Sequence, residues 1–385
     1  MNGYAHAKYM VDNKDELPNI GTNILDVSND IDLVYLPSCS ALGVDPNDIS
    51  VLSFYNCINL MYIKDKVLHT SKVRFTNNTF SYCYNLKNIP QLDISTYYTA
   101  VANNGLFNKL YSLDTIDPSN NTEYWYTTSY NMGFSSLFRD CYSLKTLPVI
   151  DCGKLPANNE KIDYMFYNCK SLTDVSIINT SNITEMGSLF SGCTSLTNVP
   201  LMDTQNVISM SFMFDRCNLL TTIPQMDTQN VIRMMSMFKD CTSLTTIPSL
   251  NTQNVSGMTN MFSGCTSLTN VPLMDTQNVI NMNYMFHNCI VLTTIDGLDF
   301  KSIPSESAGN LTGVSLNIRK MYIKNIGYSS CPTYDFSKIT RWGLNTTDIP
   351  DASLSIYKSL VEDTSNRANA GSSTVNIKLS TSVLN

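Results

Sequence analysis

The sequence predicts an α/β repeat solenoid of short parallel strands and short helical or 3-10 segments, capped at both ends. Three observations carry that prediction. The signature F-x-x-C-x-x-L occurs nine times in 385 residues, starting at Phe54, Phe80, Phe138, Phe166, Phe190, Phe214, Phe238, Phe262 and Phe286. Its last six copies keep a spacing of 24 residues, and a fixed period in the twenties marks a unit that buries its apolar face only against copies of itself. Inside a unit the apolar residues recur every third position: Leu196, Val199, Met202, then Val207, Met210, Met213, then Phe214, Cys217, Leu220. That beat is neither alternation nor a 3.6-residue helical period. It suits segments that turn one side chain inward per roughly three residues, as a 3-10 turn does. Finally, Pro90, Pro148, Pro200, Pro224, Pro248 and Pro272 punctuate the units at one place. Proline gives no N–H to a ladder, so the strands before it are held to roughly two to four residues, paired in parallel with their counterparts in adjacent units.

Taken in order, residues 1–50 read as an N-terminal cap with a degenerate repeat, in which Leu36, Cys39 and Leu42 keep the spacing. Residues 51–300 form the solenoid. In a typical unit the strand lies around 196–199, and Asp203-Thr204-Gln205-Asn206-Val207 makes the turn. A helical segment then covers 207–214, with Thr204 or Asn206 placed to cap it. Phe107, Leu110 and Leu113 form a further unit with leucine in the cysteine place, followed by an insertion near 114–131 rich in Asn, Thr and Tyr. Residues 301–385 lose the signature and read as a C-terminal cap. They hold strand-like apolar spacing over 311–326, an amphipathic helix over 351–368 with Leu354, Tyr357, Leu360 and Val361 on one face, and an alternating closing strand at 375–379.

The core expected from these columns is a spine of Phe214, Phe238 and Phe262 and their counterparts, flanked by Cys217, Cys241 and Cys265. Two methionine columns, such as Met210, Met234, Met258 and Met213, Met237, Met261, fill the space beside it. Twelve cysteines first suggest a disulfide scaffold. Nine of them hold one position in successive units, however, so their side chains run parallel. Strand spacing near ~4.8 Å would pass a distance test, but parallel Cβ vectors suit the near-perpendicular disulfide dihedral poorly. Buried free thiols acting as small hydrophobes are the expectation, with soft-metal binding the remote alternative.

Several chemistries are not supported. Net charge is −7 and basic residues are scattered, which disfavours nucleic acid and anionic membrane surfaces. No apolar run approaches the roughly 18 residues of a membrane span, and the N-terminus lacks the basic and apolar regions of a secretory signal. His6, His69 and His287 fall in different units without triad partners. No phosphate-binding glycine loop, H-E-x-x-H or EF-hand loop is present. No catalytic, cofactor-binding or metal-ligating residue is therefore assigned, and the chain is read as a non-enzyme without cofactors. The column Asp93, Asp151, Asn179, Asp203, Asp227, Asn251, Asp275 and Asp299 has two readings: a calcium ladder, or side chains bonding turn amides. Its free alternation with asparagine favours the second.

The text M-F-x-x-C-x-S-L-T-x-[IV]-P followed by D-T-x-N-V-x-x-M resembles the BspA-like leucine-rich repeat, over roughly 51–300. That family occurs on bacterial surfaces, in mucosal protists and in gut phage genomes. The resemblance implies a leucine-rich-repeat solenoid that binds protein or glycan ligands of a host or neighbouring cell through its repeat surface. The alternative is a phage virion component, of the tail or capsid surface, contacting other virion proteins; either is extracellular-facing. The candidate ligand-facing residues are Tyr124, Trp125 and Tyr126 of the insertion, since aromatic side chains anchor interfaces. Thr222, Thr246 and Asn270 of an exposed Thr/Asn band complete the set, a band that can equally be a solvated ladder.

Overall fold

The computed structural model describes residues 3–13, 15, 19–70, 72–73, 79–92, 105–116, 134–147, 149–154, 160–292, 294–299, 320–325 and 341–344. The chain divides into two compact units, Met1–Asp203 and Thr204–Asn385. The expected helix over 351–368, the closing strand at 375–379 and the insertion aromatics lie outside the described residues.

In the first unit a helix, Gly3–Asp12, packs on the strand Tyr35–Leu36 and on the 3-10 turn Cys39–Leu42, burying Ala7 and Met10. His6 Nε2 lies 2.7 Å from Asp30 Oδ2 and ties the helix to the first coil. Strands of two or three residues then pair in parallel from coil to coil. Ile24–Asp26 pairs with Val51–Ser53 and Tyr35–Leu36 with Tyr62–Ile63; Val67–Leu68 pairs with Gln91–Leu92 and Ile150–Asp151 with Ile177–Ile178. The Tyr35 and Tyr62 strands occupy the expected place before the proline position. Gln91–Leu92 and Ile150–Asp151 follow Pro90 and Pro148 instead, where the backbone is again free to donate.

The more regular coils hold fewer strands than expected. At the site around 196–199 one backbone N–H per coil crosses among the described residues: Thr197 to the Thr173 carbonyl in the first unit, and Thr245 to Thr221 and Thr269 to Thr245 in the second. A second crossing in the second unit is the series of single parallel bridges Ser209, Arg233, Gly257, Asn281.

The expected helix over 207–214 is absent. The N–H groups of Met210, Phe212, Phe214 and Arg216 do not turn back along their own coil. They donate forward to the carbonyls of Arg233, Met235, Met237 and Lys239 in the next coil, at 2.7–3.0 Å. The N–H groups between them close tight turns, Met213 to the Met210 carbonyl, Asp215 to Phe212 and Cys217 to Phe214. The three-residue apolar beat is thus a run of i to i−3 turns. The backbone reaches it by placing two residues per coil in the left-handed region, for example Phe212 and Arg216, each at φ 59. A continuous right-handed helix cannot pass through such positions.

Thr204 and Asn206 accordingly cap no helix. The buried Thr204, Thr228 and Thr252 hydroxyls donate to the carbonyls of Asp227, Asn251 and Asp275 in the next coil, at 2.7–2.8 Å. Asn230, Asn254 and Asn278 reach back to the carbonyls of Gln205, Gln229 and Gln253 at 2.7 Å.

The core follows the predicted columns. The phenylalanine rings are fully buried and stack along each unit. From Phe138 through Phe166 to Phe190 the centroids lie 5.8 Å apart, and from Phe214 through Phe238 and Phe262 to Phe286 they lie 5.6–5.7 Å apart, with planes within 8°. Both methionine columns are buried beside them. Beyond the last signature, Thr294–Asp299, Lys320–Asn325 and Arg341–Leu344 form a three-stranded parallel sheet in sequence order. The middle strand falls within the stretch 311–326 whose apolar spacing suggested one.

Candidate recognition surface

Most of the polar chemistry in a repeat is consumed inside it. All eleven described cysteines are buried free thiols. Their column bonds backward: Cys241, Cys265 and Cys289 Sγ lie 3.0 Å from the carbonyls of Phe214, Phe238 and Phe262 of the preceding coil. Cys83, Cys141, Cys169 and Cys193 repeat this in the first unit at 2.8–3.1 Å. Burial pushes these thiols up, to about 12 for Cys83 and Cys289, so they stay protonated donors rather than thiolates; it does the same to Cys152, which lies outside the column.

The Asp/Asn column is likewise engaged. Asp227, Asn251 and Asp275 each accept, through Oδ1, the N–H of the glutamine two residues on, at 3.0–3.2 Å. These are the turn-amide bonds anticipated for that column. Among the described residues no group of three or more His, Cys, Asp or Glu side chains is placed to hold a metal ion.

The Thr/Asn band divides in two. Thr245 and Thr269 turn their hydroxyls onto the carbonyls of Thr221 and Thr245 of the preceding coil, at 3.3 and 3.1 Å, and so serve the stack. Their neighbours Thr222, Thr246 and Asn270 are exposed, one per coil, and make no side-chain hydrogen bond among the described residues. The predicted core residues Phe214, Phe238, Phe262, Cys217, Cys241 and Cys265 are all fully buried. Tyr124, Trp125 and Tyr126 lie outside the described residues.

A second surface, in the first unit, escaped the sequence reading. Tyr84, Tyr111 and Tyr142 stack face to face, centroids 4.8 and 4.7 Å apart and planes within 10°. Lys170 Nζ closes the series, 4.5 Å over the Tyr142 ring. At the other end Tyr82, 42% exposed, meets Tyr84 edge-on at 5.9 Å and Tyr55 at 5.6 Å. The Arg139 guanidinium lies 5.3 and 4.9 Å from the rings of Tyr164 and Tyr167. Burial raises the phenol pKa of Tyr84, Tyr111 and Tyr142; neighbouring phenols raise it further, as does Asp140 at the last two. The signal for this surface was present: the residue after the Cys or Leu of four successive units reads Tyr84, Tyr111, Tyr142, Lys170. Later units hold Thr194, Asn218, Thr242 and Thr266 there.

A repeat-family model agrees with this architecture. Residues 45–150 match the family model described as "BspA type Leucine rich repeat region (6 copies)". Three overlapping segments, 121–200, 160–270 and 197–295, match "Mycoplasma protein of unknown function, DUF285". No curated protein matches the sequence. Among solved structures, a leucine rich cell surface protein from Faecalibacterium prausnitzii is 16% identical, covering 94% of this chain and 83% of that one, with a TM-score of 0.40. A leucine-rich repeat protein from Eubacterium ventriosum is 19% identical over 71% of this chain and 72% of that one, at TM-score 0.39. The T. pallidum leucine rich repeat protein is 19% identical over 39% and 75%, at TM-score 0.25. The fold is of the leucine-rich-repeat type, and residues 45–150 are similar to a BspA-type leucine-rich-repeat region.

Proposed function

We propose that this chain is a non-enzymatic recognition protein that faces the outside of a cell or particle and binds a macromolecular ligand through its repeat surface. One observation carries the reading. In each regular coil the thiol, the buried threonine and the Asp/Asn side chain are engaged in turns or coil-to-coil bonds, while Thr222, Thr246 and Asn270 remain exposed and unengaged. A solenoid that uses its chemistry for stacking presents a surface and no convergent reactive site. One of the two matching family models describes a leucine-rich-repeat region, and no helix among the described residues is long and apolar enough to cross a membrane.

The test is a screen of the full chain on protein and glycan arrays, repeated with Thr222→Ala, Thr246→Ala and Asn270→Ala combined. Loss of roughly tenfold or more in affinity for a captured ligand, at an unchanged melting temperature, is expected. Ligands bound equally by both proteins would remove this column from the function, and an array with no ligand would remove the recognition reading.

A further inference from the structure

We propose that the tyrosine ladder Tyr84, Tyr111, Tyr142, with Lys170 and Arg139 beside its end, docks an acidic peptide segment of a partner protein. The proposal rests on the recognition reading above and assigns it a second, chemically distinct surface in the other unit.

The geometry decides the class of ligand. A sugar stacks its apolar face on an aromatic face, but here both faces of Tyr111 and of Tyr142 are taken. Tyr111 is covered on both sides by Tyr84 and Tyr142 at 4.7–4.8 Å, and the outer face of Tyr142 lies under the Lys170 ammonium. Ring edges and phenol hydroxyls remain, half-exposed and repeating at the stacking distance. Such edges suit a peptide, whose carbonyls and carboxylates accept from the hydroxyls while its side chains lie against the ring edges. The raised phenol pKa values keep those hydroxyls protonated as donors. Stacking also fixes the rings before any partner arrives, which lowers the ordering cost that mobile interface side chains incur.

Charge decides the sign of the partner. Among the described residues no carboxylate pairs with Lys170, whose ammonium is instead held over a ring. Lys87, 5.6 Å over the exposed Tyr62 ring, repeats the arrangement and is also unpaired among them. Arg139 lies across two tyrosines, with only its own neighbour Asp140 nearby at 3.6 Å. Lys170 and Lys87, held on aromatic faces with no carboxylate paired to them among the described residues, attract carboxylates, and Tyr with Arg is the composition of binding hot spots. The aromatic column is confined to the first unit, since Asn218, Thr242 and Thr266 hold its place in the second.

The test is panning of a displayed library of short random peptides against the full chain. Selected peptides are then synthesised and measured by fluorescence anisotropy. We expect enrichment in Asp and Glu, weakening with added salt, and roughly tenfold or greater loss of affinity for Tyr111→Ser and for Lys170→Glu. Lys170 is exposed, so its variant removes no core contact and keeps the test decisive if Tyr111→Ser folds poorly. Neutral or basic peptides, or acidic peptides that bind both variants as they bind the parent, would overturn the proposal. Binding lost in the Thr222, Thr246 and Asn270 variant but kept in the ladder variants overturns the ladder alone and leaves the recognition reading standing.

Discussion

Cysteine at the fourth place of the signature is explained by a pair of bonds to one oxygen. The Phe214 carbonyl accepts the N–H of Cys217 at 3.0 Å within its own coil and the thiol of Cys241 at 3.0 Å from the next. A small apolar side chain fills the space, and its weak donor satisfies the second lone pair of a carbonyl that water cannot reach. Replacing Cys241 by alanine is expected to lower stability by about 1–2 kcal/mol through the lost bond and the small cavity, read from a urea midpoint. The left-handed position two residues after each phenylalanine makes the opposite kind of prediction. It is held by Asn168, Gly192, Asp240, Gly264 and Asn288, which tolerate the conformation, but also by Arg216 at φ 59, which does not. Arg216→Gly retains the N–H bond to Lys239 and is expected to raise stability by about 1 kcal/mol. Gly192→Ala should lower it, because φ is 78 and the added Cβ would run into the Asn168 side-chain oxygen. Equal melting temperatures for these two variants and the parent would remove the conformational argument.

At the scale of the element, one coil is a sequence of tight turns whose stability comes from the coils beside it. The Phe238 ring stacks on Phe214 at 5.7 Å and on Phe262 at 5.6 Å, so its loss opens both contacts at once. Phe238→Ala is expected to cost about 3–5 kcal/mol, whereas Gln229→Ala, at an exposed position whose backbone bonds survive, should be nearly silent. Thermal melts of the two variants make the comparison, and matching midpoints would contradict the ring spine. The coil also shows why the columns could be read from the text and the conformation between them could not. Apolar residues at every third place are common to a 3-10 segment and to linked i to i−3 turns. What separates the two is the left-handed residue, marked in the sequence by Gly, Asn or Asp just before the cysteine in most units and hidden at Arg216 and Tyr82. The strand site suffered similarly. A single bond per coil at Thr197, Thr245 and Thr269 leaves the same threonine-rich text as a longer ladder.

Across the whole chain the buried thiols couple stability to alkaline pH. An unfolded thiol ionises near roughly 8.5, while burial holds the folded ones far higher, to about 12 for Cys83, Cys152 and Cys289. Between those values the unfolded chain releases protons that the folded chain keeps, so stability is complete below the unfolded value and falls as pH rises through the window. A melting temperature steady up to about pH 8 and declining progressively above it is the expected outcome, read by calorimetry across a pH series. A flat profile to the top of the window would contradict the protonated column. Denatured, unreduced protein should likewise show twelve titratable thiols. Function was less legible than fold on this scale, and for a related reason. The period rests on what the copies share, which is the core, whereas the proposed recognition surfaces sit where the copies differ. Thr222, Thr246 and Asn270 were visible because they vary only slightly from coil to coil; the tyrosine ladder occupies a column that changes character along the chain, and needed the stacked geometry to join its members.

The forward N–H bonds of each regular coil meet carbonyls 23 residues on, and the backward bonds of the threonine site meet carbonyls 24 residues earlier, with the same partners in kind each time. A duplicated or deleted 24-residue block within the regular stretch therefore arrives with donors and acceptors already matched to both neighbours. Copy number in a lineage can drift by whole blocks with no core contact to repair, and each added copy brings fresh surface positions free to diverge.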